Sequence, residues 1–439
     1  MAEPVPLPPP PFAVLADAEG TGRGWGFSSL LSRPFAEVKG DGRGLVLKRK
    51  GGRRAFPGNP VEALDRVLGL AEEGAPPGAL WVVALGYDLR RALERLPRPA
   101  EDDLGLPWIH AFLFERRRPL PLPPGPSALP PLPKPRGSWP SRRGFLRGVE
   151  AILEAERAGE VYEVNLTRRV EVPFRTSAWR LLSGQLGRAR PAFGGLLHGG
   201  AYRLLCLSPE RFLRREGDRV WTEPIKGTAP RGRGPEEDRL LSRRLLGGEK
   251  EGAELAMAVD VARNDLGRVA VPGTVRAEPA RDLLTLPYVH HLYGRVEARL
   301  RPGTHFGDLL RAAFPGASVT GAPKVRAMEW IDRLEGRTRG LYCGAFGWME
   351  PGGLRFDLCL TIRTAEILRG RLFYHVGGGI TVDSDPLSEW RETEAKAAFL
   401  GETPRALPVE RGGTPKGKPS VPAGLASGTR GKSPSPLER

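Results

Sequence analysis

The apolar positions of the chain change period along its length. At 61–73 they fall at Val61, Leu64, Val67, Leu68 and Leu70, the spacing of one helical face. Residues 79–85 form a continuous apolar run of strand length. Helical spacing returns over 145–158, and 159–167 then alternates apolar with polar as a half-buried strand does. A helix over 249–262 carries Met257, Val261 and alanines on one stripe, and Gly267 suits its C-cap. Another helix is predicted after Val376-Gly377-Gly378-Gly379-Ile380, with Asp385 as N-cap and Pro386 in its first turn. The pattern divides the chain into an α/β region over 1–120, a proline-dense linker over 121–140, a core over 141–401 and a tail over 402–439. The linker's prolines lack the N–H that regular elements need. The tail is Gly, Pro, Ser, Lys and Arg, with too little apolar surface to bury, and is expected to be disordered.

Composition narrows the class. With 439 residues, 40% of them hydrophobic, the chain has material for a large core. It has no apolar run of membrane-spanning length. Its start is a proline run rather than a basic segment followed by an apolar one, so a secretory signal is not expected. Cys206, Cys343 and Cys359 share no metal-ligand spacing and read as buried thiols of a cytoplasmic protein. The formal charge of +16 fits either a nucleic-acid binder or an enzyme for a small anion. Basic residues are spread along the chain rather than gathered in one arm.

Several polar segments interrupt the apolar pattern. Ser208-Pro209-Glu210-Arg211-Phe212 and Pro224-Ile225-Lys226-Gly227-Thr228-Ala229-Pro230-Arg231 both lie beside strand-like sequence. A lysine on such a turn is ordinarily solvated, so the second segment alone assigns nothing. Glu251 and Glu254 share a helical face, as do Glu389 and Glu392. Two acidic pairs suit Mg2+, a hard cation that takes few carboxylates and keeps room for substrate oxygens; two solvated faces are the plainer alternative. Gly377, Gly378 and Gly379 expose backbone N–H groups to an approaching anion. Arg363 stands in otherwise apolar, strand-like sequence, where a guanidinium needs an anion and a carboxylate is its natural bidentate partner.

Taken in order, these segments resemble the chorismate-utilising enzymes, strongly over 141–400 and weakly upstream. The resemblance implies an α+β fold of large β-sheets packed face to face, with helices outside and a central active-site cleft. It implies Mg2+ on Glu254 and Glu392, with Glu251 and Glu389 one turn away as supporting or water-linked ligands. It places Tyr342, Arg363 and the N–H groups of Gly377, Gly378 and Gly379 on the pyruvyl carboxylate, Thr228 and His291 beside the ring, and Glu210 as the acid for the departing hydroxyl. Lys226 matches the lysine of the family's 4-aminating members, which act through a covalent lysine adduct; members that aminate C2 typically read Pro-Ile-Ala-Gly-Thr there. Members that add water carry a lysine at the position of Glu163, and many ammonia users carry a glutamine. Burial and a nearby metal are expected to keep Lys226 a neutral amine. The implied partners are chorismate and a separate glutamine amidotransferase subunit, component II, because no cysteine stands in a recognisable nucleophile motif. The alternatives are 2-amination with pyruvate release and, remotely, a basic nucleic-acid binder. The latter would set Glu251, Glu254, Glu389 and Glu392 against phosphate.

Overall fold

The structure, a computed structural model, describes residues 6–18, 23–97, 101–122, 129, 132–133, 135, 137–278, 281–286, 289–398 and 400. The tail expected to be disordered, 402–439, lies outside the described residues, as does half of the proline-dense segment.

Most strands join one continuous antiparallel sheet. Its first half runs Glu163–Pro173, Arg371–Ile380, Thr364–Leu368, Tyr202–Ser208, Phe193–His198, Phe12–Ala16. Phe12–Ala16 also pairs with residues 29–32 of the strand Ser29–Asp41. From there the second half continues through Ile109–Pro119, Leu80–Leu85, Ala345–Met349, Arg355–Leu360, Arg211–Glu216 and Arg219–Glu223.

Side chains on a strand alternate between faces, so each half feeds two cores. Leu15, Leu204 and Cys206 of the first half pack with Val82, Phe346 and Cys359 of the second, and the two Sγ atoms lie 3.7 Å apart. This is the face-to-face packing that the resemblance implies. On the outside, Leu181, Leu182 and Leu186 of helix Ala178–Ala189 cover Val14, Leu196 and Leu205. Helices Pro60–Glu72, Arg142–Arg157, Phe306–Ala313 and Lys324–Glu335 feed the largest core. Strands from 1–120 and from 141–401 therefore share one sheet, and Gly137–Trp139 pairs with Glu163–Pro173.

A separate three-stranded sheet comprises Ile225–Pro230, Val289–Tyr293 and Asp282–Thr285. Helices Pro235–Gly247 and Glu249–Gly267 pack on it.

The periodic elements appear close to their expected bounds. The first helix spans Pro60–Glu72, capped by Asn59 Oδ1 accepting from Val61 N at 2.9 Å. Helix Pro386–Ala398 is preceded by Asp385, whose carboxylate accepts from Ser388 N at 2.8 Å. Two local details differ. The strand expected over 159–167 begins only at Glu163, because Gly159 at φ 74° closes the preceding helix. Arg363 is not in a strand: it sits at φ 50° in the turn between Arg355–Leu360 and Thr364–Leu368. Gly377, Gly378 and Gly379 form the end of strand Arg371–Ile380. One edge of that strand is paired to Glu163–Pro173. Thr364–Leu368 covers the other edge only as far as Tyr374, so the glycines keep an open edge. The three cysteines are free and buried. No described helix is long and apolar enough to cross a membrane.

A buried charge fastens the core strand to its helix. Arg339 is 1% exposed and donates to Glu335 Oε1 and Oε2, to Val319 O at 2.9 Å and to Asn165 O at 2.6 Å. Glu335 Oε1 also accepts from Thr167 N at 2.8 Å. Arg339→Met leaves Glu335 buried without its counter-charge, and a loss of about 3–5 kcal/mol is expected in urea unfolding. Adding Glu335→Gln recovers part of the loss, since an amide oxygen still accepts from Thr167 N. A loss below about 1 kcal/mol in the single variant refutes this account.

Candidate active site

Lys226 lies on strand Ile225–Pro230, where the pairing register shifts between Lys226 and Thr228. Gly227 stands in that irregularity at φ 70°. A Cβ there would also meet Glu251 Cβ at 3.0 Å, so the position needs glycine twice over. The resulting twist buries Lys226 to 8% exposure, with Nζ in contact with Glu163 Oε1. Glu163 itself is 2% exposed.

This pair corrects the expectation of a neutral lysine. Burial does act to lower the pKa of Lys226, but the carboxylates of Glu163, Glu254 and Glu210 outweigh it and hold the group above its ordinary value. In the side-chain set present, Lys226 is an ammonium.

Glu210 is 2% exposed, accepting from Ser318 Oγ at 2.5 Å and Ile225 N at 3.2 Å. Burial pushes its carboxyl up to about 7, against the opposing pull of those donors and of Lys226. Thr228 Oγ1 lies 2.9 Å from His291 Nδ1 on the neighbouring strand. Burial, and then the Arg363 charge, lower His291 to about 3, so this imidazole is neutral at physiological pH. Tyr342 is buried and stacks on His375 at 4.8 Å, two residues before Gly377.

The acidic helices reach the same neighbourhood. A Cβ on Gly378 would lie 3.5 Å from Glu389 Oε2, 3.6 Å from Glu392 Oε1 and 3.7 Å from Lys396 Nζ. Ser384 Oγ donates to Glu389 Oε1 at 2.7 Å. Lys396 pairs with Glu392 and donates to Gly377 O at 2.8 Å. Its charge, followed in effect by Lys250 and Arg363, holds Glu392 below the usual carboxylate range. Glu254 and Glu389 are raised, chiefly by burial and then, for Glu389, by repulsion from Glu392. Glu251 stands against Gly227 and Gly248.

Among the described residues, no three His, Cys, Asp or Glu side chains converge tightly enough to cage an ion alone. The donor set still suits a cation that takes one or two carboxylates with substrate oxygens. Two buried carboxyls whose charge is disfavoured mark a place short of positive charge.

The structure thus gathers Lys226, Glu210, Thr228, His291, Arg363, Gly378, Gly379, Glu254, Glu389 and Glu392 through a chain of contacts and charge interactions. Tyr342 joins the set through its stacking on His375, on the strand that ends in the three glycines. Sequence reasoning did not find Ser318 or Lys396. Lys396 had a signal, its i,i+4 spacing from Glu392. Ser318 had none, since it reaches Glu210 across 108 residues of sequence.

A model of the chorismate binding enzyme family matches residues 48–402. Aminodeoxychorismate synthase component 1 of Salmonella typhimurium is 38% identical over 336 residues, which is 70% of this chain and 73% of that protein. Anthranilate synthase component 1 of Thermus thermophilus is 36% identical over 390 residues, 80% of this chain and 83% of that protein. The crystal structure of anthranilate synthase component I from Streptococcus pneumoniae TIGR4 superposes with a TM-score of 0.73 at 26% identity, covering 92% of this chain and 95% of that one.

The raised carboxyl of Glu210 has a stability signature. Between its ordinary value of 4.5 and about 7, the folded chain holds a proton that the unfolded chain has released. Stability therefore falls as pH rises through that window, by ~1.4 kcal/mol per unit at most. Glu210→Gln removes this contribution. The stability difference between the two proteins is expected to shift in favour of Glu210→Gln from pH 5 to 7 in urea titrations. Parallel pH profiles refute it.

Proposed function

From the premise that the chain belongs to the chorismate binding enzymes, we propose that it is an aminodeoxychorismate synthase component I. In this reading it converts chorismate and ammonia to 4-amino-4-deoxychorismate, the precursor of 4-aminobenzoate and folate. Ammonia comes from a separate glutamine amidotransferase subunit, and Mg2+ is the cofactor. The observation that carries the reading is Lys226, a buried amine in contact with a proton acceptor, Glu163. The level of identity does not decide between the two aminating activities named among the relatives, since both lie near the same value.

Glu254 and Glu392 would hold Mg2+, with Glu251 and Glu389 supporting them, and the ion supplies Lewis-acid polarisation of the ring carboxylate. Arg363, Tyr342 and the open edge at Gly377, Gly378 and Gly379 hold the pyruvyl carboxylate; Thr228 and neutral His291 border the ring. Lys226 passes one proton to Glu163 and its free Nζ forms a bond to C2. The diene shifts, and the C4–O bond breaks as Glu210 gives its proton, so the hydroxyl leaves as water. Glu210, with its carboxyl pushed to about 7, holds that proton at neutral pH. Ammonia then bonds to C4, the diene shifts back, and Lys226 leaves C2 as a free amine. The C4 ammonium returns a proton to Glu210. The enolpyruvyl ether is untouched throughout.

The alternative is anthranilate synthase component I, the name of the Thermus thermophilus relative at a similar level of identity. Product analysis separates the two. With chorismate, Mg2+ and ammonium at alkaline pH, the chain alone is expected to give 4-amino-4-deoxychorismate without pyruvate, and nothing from glutamine. Without ammonium, a ring adduct is expected on the peptide bearing Lys226. Lys226→Ala is expected to bind chorismate but lose at least roughly 100-fold in 4-amination, the scale of a lost nucleophile. Anthranilate and pyruvate from the unaltered chain, or full 4-amination by Lys226→Ala, overturn the reading.

The metal assignment has its own test. Glu254→Gln and Glu392→Gln are each expected to weaken Mg2+ binding in calorimetry with chorismate present by roughly tenfold or more, because a neutral amide is a poor ligand for a hard dication. Unchanged affinity in both variants means that these helices carry acidic faces and no metal.

A further inference from the structure

Two buried titratable groups lie against Tyr342, and the reaction above uses neither. Glu366 stands on strand Thr364–Leu368, opposite Phe373 of strand Arg371–Ile380. His375 is two residues further along the second strand, so Glu366, Phe373 and His375 emerge on one face of the sheet. Phe373 belongs to the apolar layer between the two halves, as does Leu204, which stands opposite Glu366 on its other side. Glu366 is 1% exposed and His375 is 5% exposed.

Contacts tie both groups to Tyr342. Glu366 Oε1 accepts from Leu341 N at 2.5 Å and from Tyr342 N at 3.3 Å. The carboxyl lies so close to this backbone that a Cβ on Gly340 would stand 2.6 Å from Oε1. The His375 ring stacks on the Tyr342 ring, 18° from parallel. Glu366 Oε2 and His375 Nε2 lie 3.9 Å apart. Each of these two atoms is buried and has no hydrogen-bond partner among the described residues.

We propose that Glu366 and His375 are positioning residues for Tyr342: a carboxylic acid proton on Glu366 Oε2, donated as a hydrogen bond to His375 Nε2, holds the imidazole against the Tyr342 ring that meets the pyruvyl carboxylate. The inference rests on the role given to Tyr342 in the reading above. Oε1 already accepts two N–H groups, so the acid proton belongs on Oε2. His375 then accepts through Nε2 and carries its own proton on Nδ1. The bond joins two neutral groups and brings no charge into the apolar layer. The surroundings agree. Burial pushes the Glu366 carboxyl up to about 8, past the opposing pull of Leu341 N, Arg169 and Tyr342 N, and Asp88 adds to the rise. Burial first, then Arg169 and Arg339, hold His375 well below its ordinary value. Both guanidinium groups have other carboxylates, Asp103 for Arg169 and Glu335 for Arg339. The 3.9 Å gap is about 1 Å longer than a formed hydrogen bond. Contacts of this kind are often long in a free site and tighten around the substrate.

The test reads KM for chorismate, with ammonium and Mg2+ saturating. His375→Phe keeps a ring for stacking and removes the acceptor. It is expected to raise KM roughly tenfold, the weight of one hydrogen bond, with kcat changed by no more than about twofold. Glu366→Leu is expected to raise KM at least as much. Glu366→Gln supplies an oxygen for Leu341 N and Tyr342 N and an N–H for His375 Nε2, and is expected to bring KM back to within about twofold of the unaltered chain. In the 15N spectrum of the histidine-labelled chain, the signal that His375→Phe removes is expected to be that of a neutral ring protonated on Nδ1. Should Glu366→Leu not fold, His375→Phe and this spectrum decide. Unchanged KM in His375→Phe, Glu366→Gln as damaging as Glu366→Leu, or an imidazolium at His375 near neutral pH overturns the proposal. Product identity from the unaltered chain judges the amination reading separately, because chorismate must be bound whether nitrogen enters at C2 or C4.

Discussion

An ammonium and a carboxylate, both withdrawn from water, form the contact on which the site depends. Neither Lys226 nor Glu163 is stable there alone, because an unpaired charge in a protein interior costs several kcal/mol. Lys226 comes from the small sheet and Glu163 from the first residue of a strand of the large one, so the pair fixes the two sheets to each other. Neighbouring features follow from making room for it. A Cβ on Gly379 would collide with the Glu163 carboxylate and displace it from Lys226. Gly227 takes a left-handed conformation in the irregularity that turns Lys226 inward, while helix Glu249–Gly267 packs close behind it.

Charge balance explains why the neighbourhood suits an anion only with added positive charge. Glu163, Glu210, Glu254, Glu389 and Glu392 face Lys226, Lys250, Arg363 and Lys396. Burial keeps Glu210 protonated up to about pH 7, which leaves the remaining acids and bases roughly matched. A substrate with two carboxylates disturbs that balance. A dication held by Glu254 and Glu392, as proposed, would restore it and would reverse the unfavourable burial of Glu254 and Glu389. In the side chains alone, Lys396 serves as the stand-in counter-charge, bridging Glu392 and Gly377 O.

What could be read in the sequence was what depends on local periodicity or on short motifs. The helix Pro60–Glu72 announces itself by apolar spacing and an asparagine cap, and helix Pro386–Ala398 by Asp385 and Pro386. The face-to-face sheets and the gathering of Glu254 with Glu392 came only through the resemblance, because strand order and the meeting of distant helices have no local signature. Arg363 was misplaced into a strand for a related reason. Its neighbours are apolar, but the chain must turn there at positive φ, and arginine gives no sign of that. The charge state of Lys226 was misjudged because it depends on three carboxylates from other parts of the chain, which no reading of Pro-Ile-Lys-Gly-Thr contains.

Charge pairing also bears on the glutamate at position 163, where the resemblance leads one to expect glutamine in many ammonia-using members. In the 2-aminating pattern, alanine and glutamine are both neutral; here Lys226 and Glu163 are both charged and sum to zero, so the pair adds an amine without adding net charge. A lysine at position 163, as in the water-adding members, would put two ammonium groups in contact in a buried place. At about 4 Å, and with an effective dielectric constant near 20, like charges repel by about 4 kcal/mol. Lys226 therefore disfavours a second ammonium at position 163. A glutamine at 163 would leave Lys226 facing a neutral amide, its charge balanced only by the more distant Glu254 and Glu210. The glutamate gives the amine a partner that can both hold it as a cation and accept its proton, the two states that the nucleophilic role proposed for Lys226 requires.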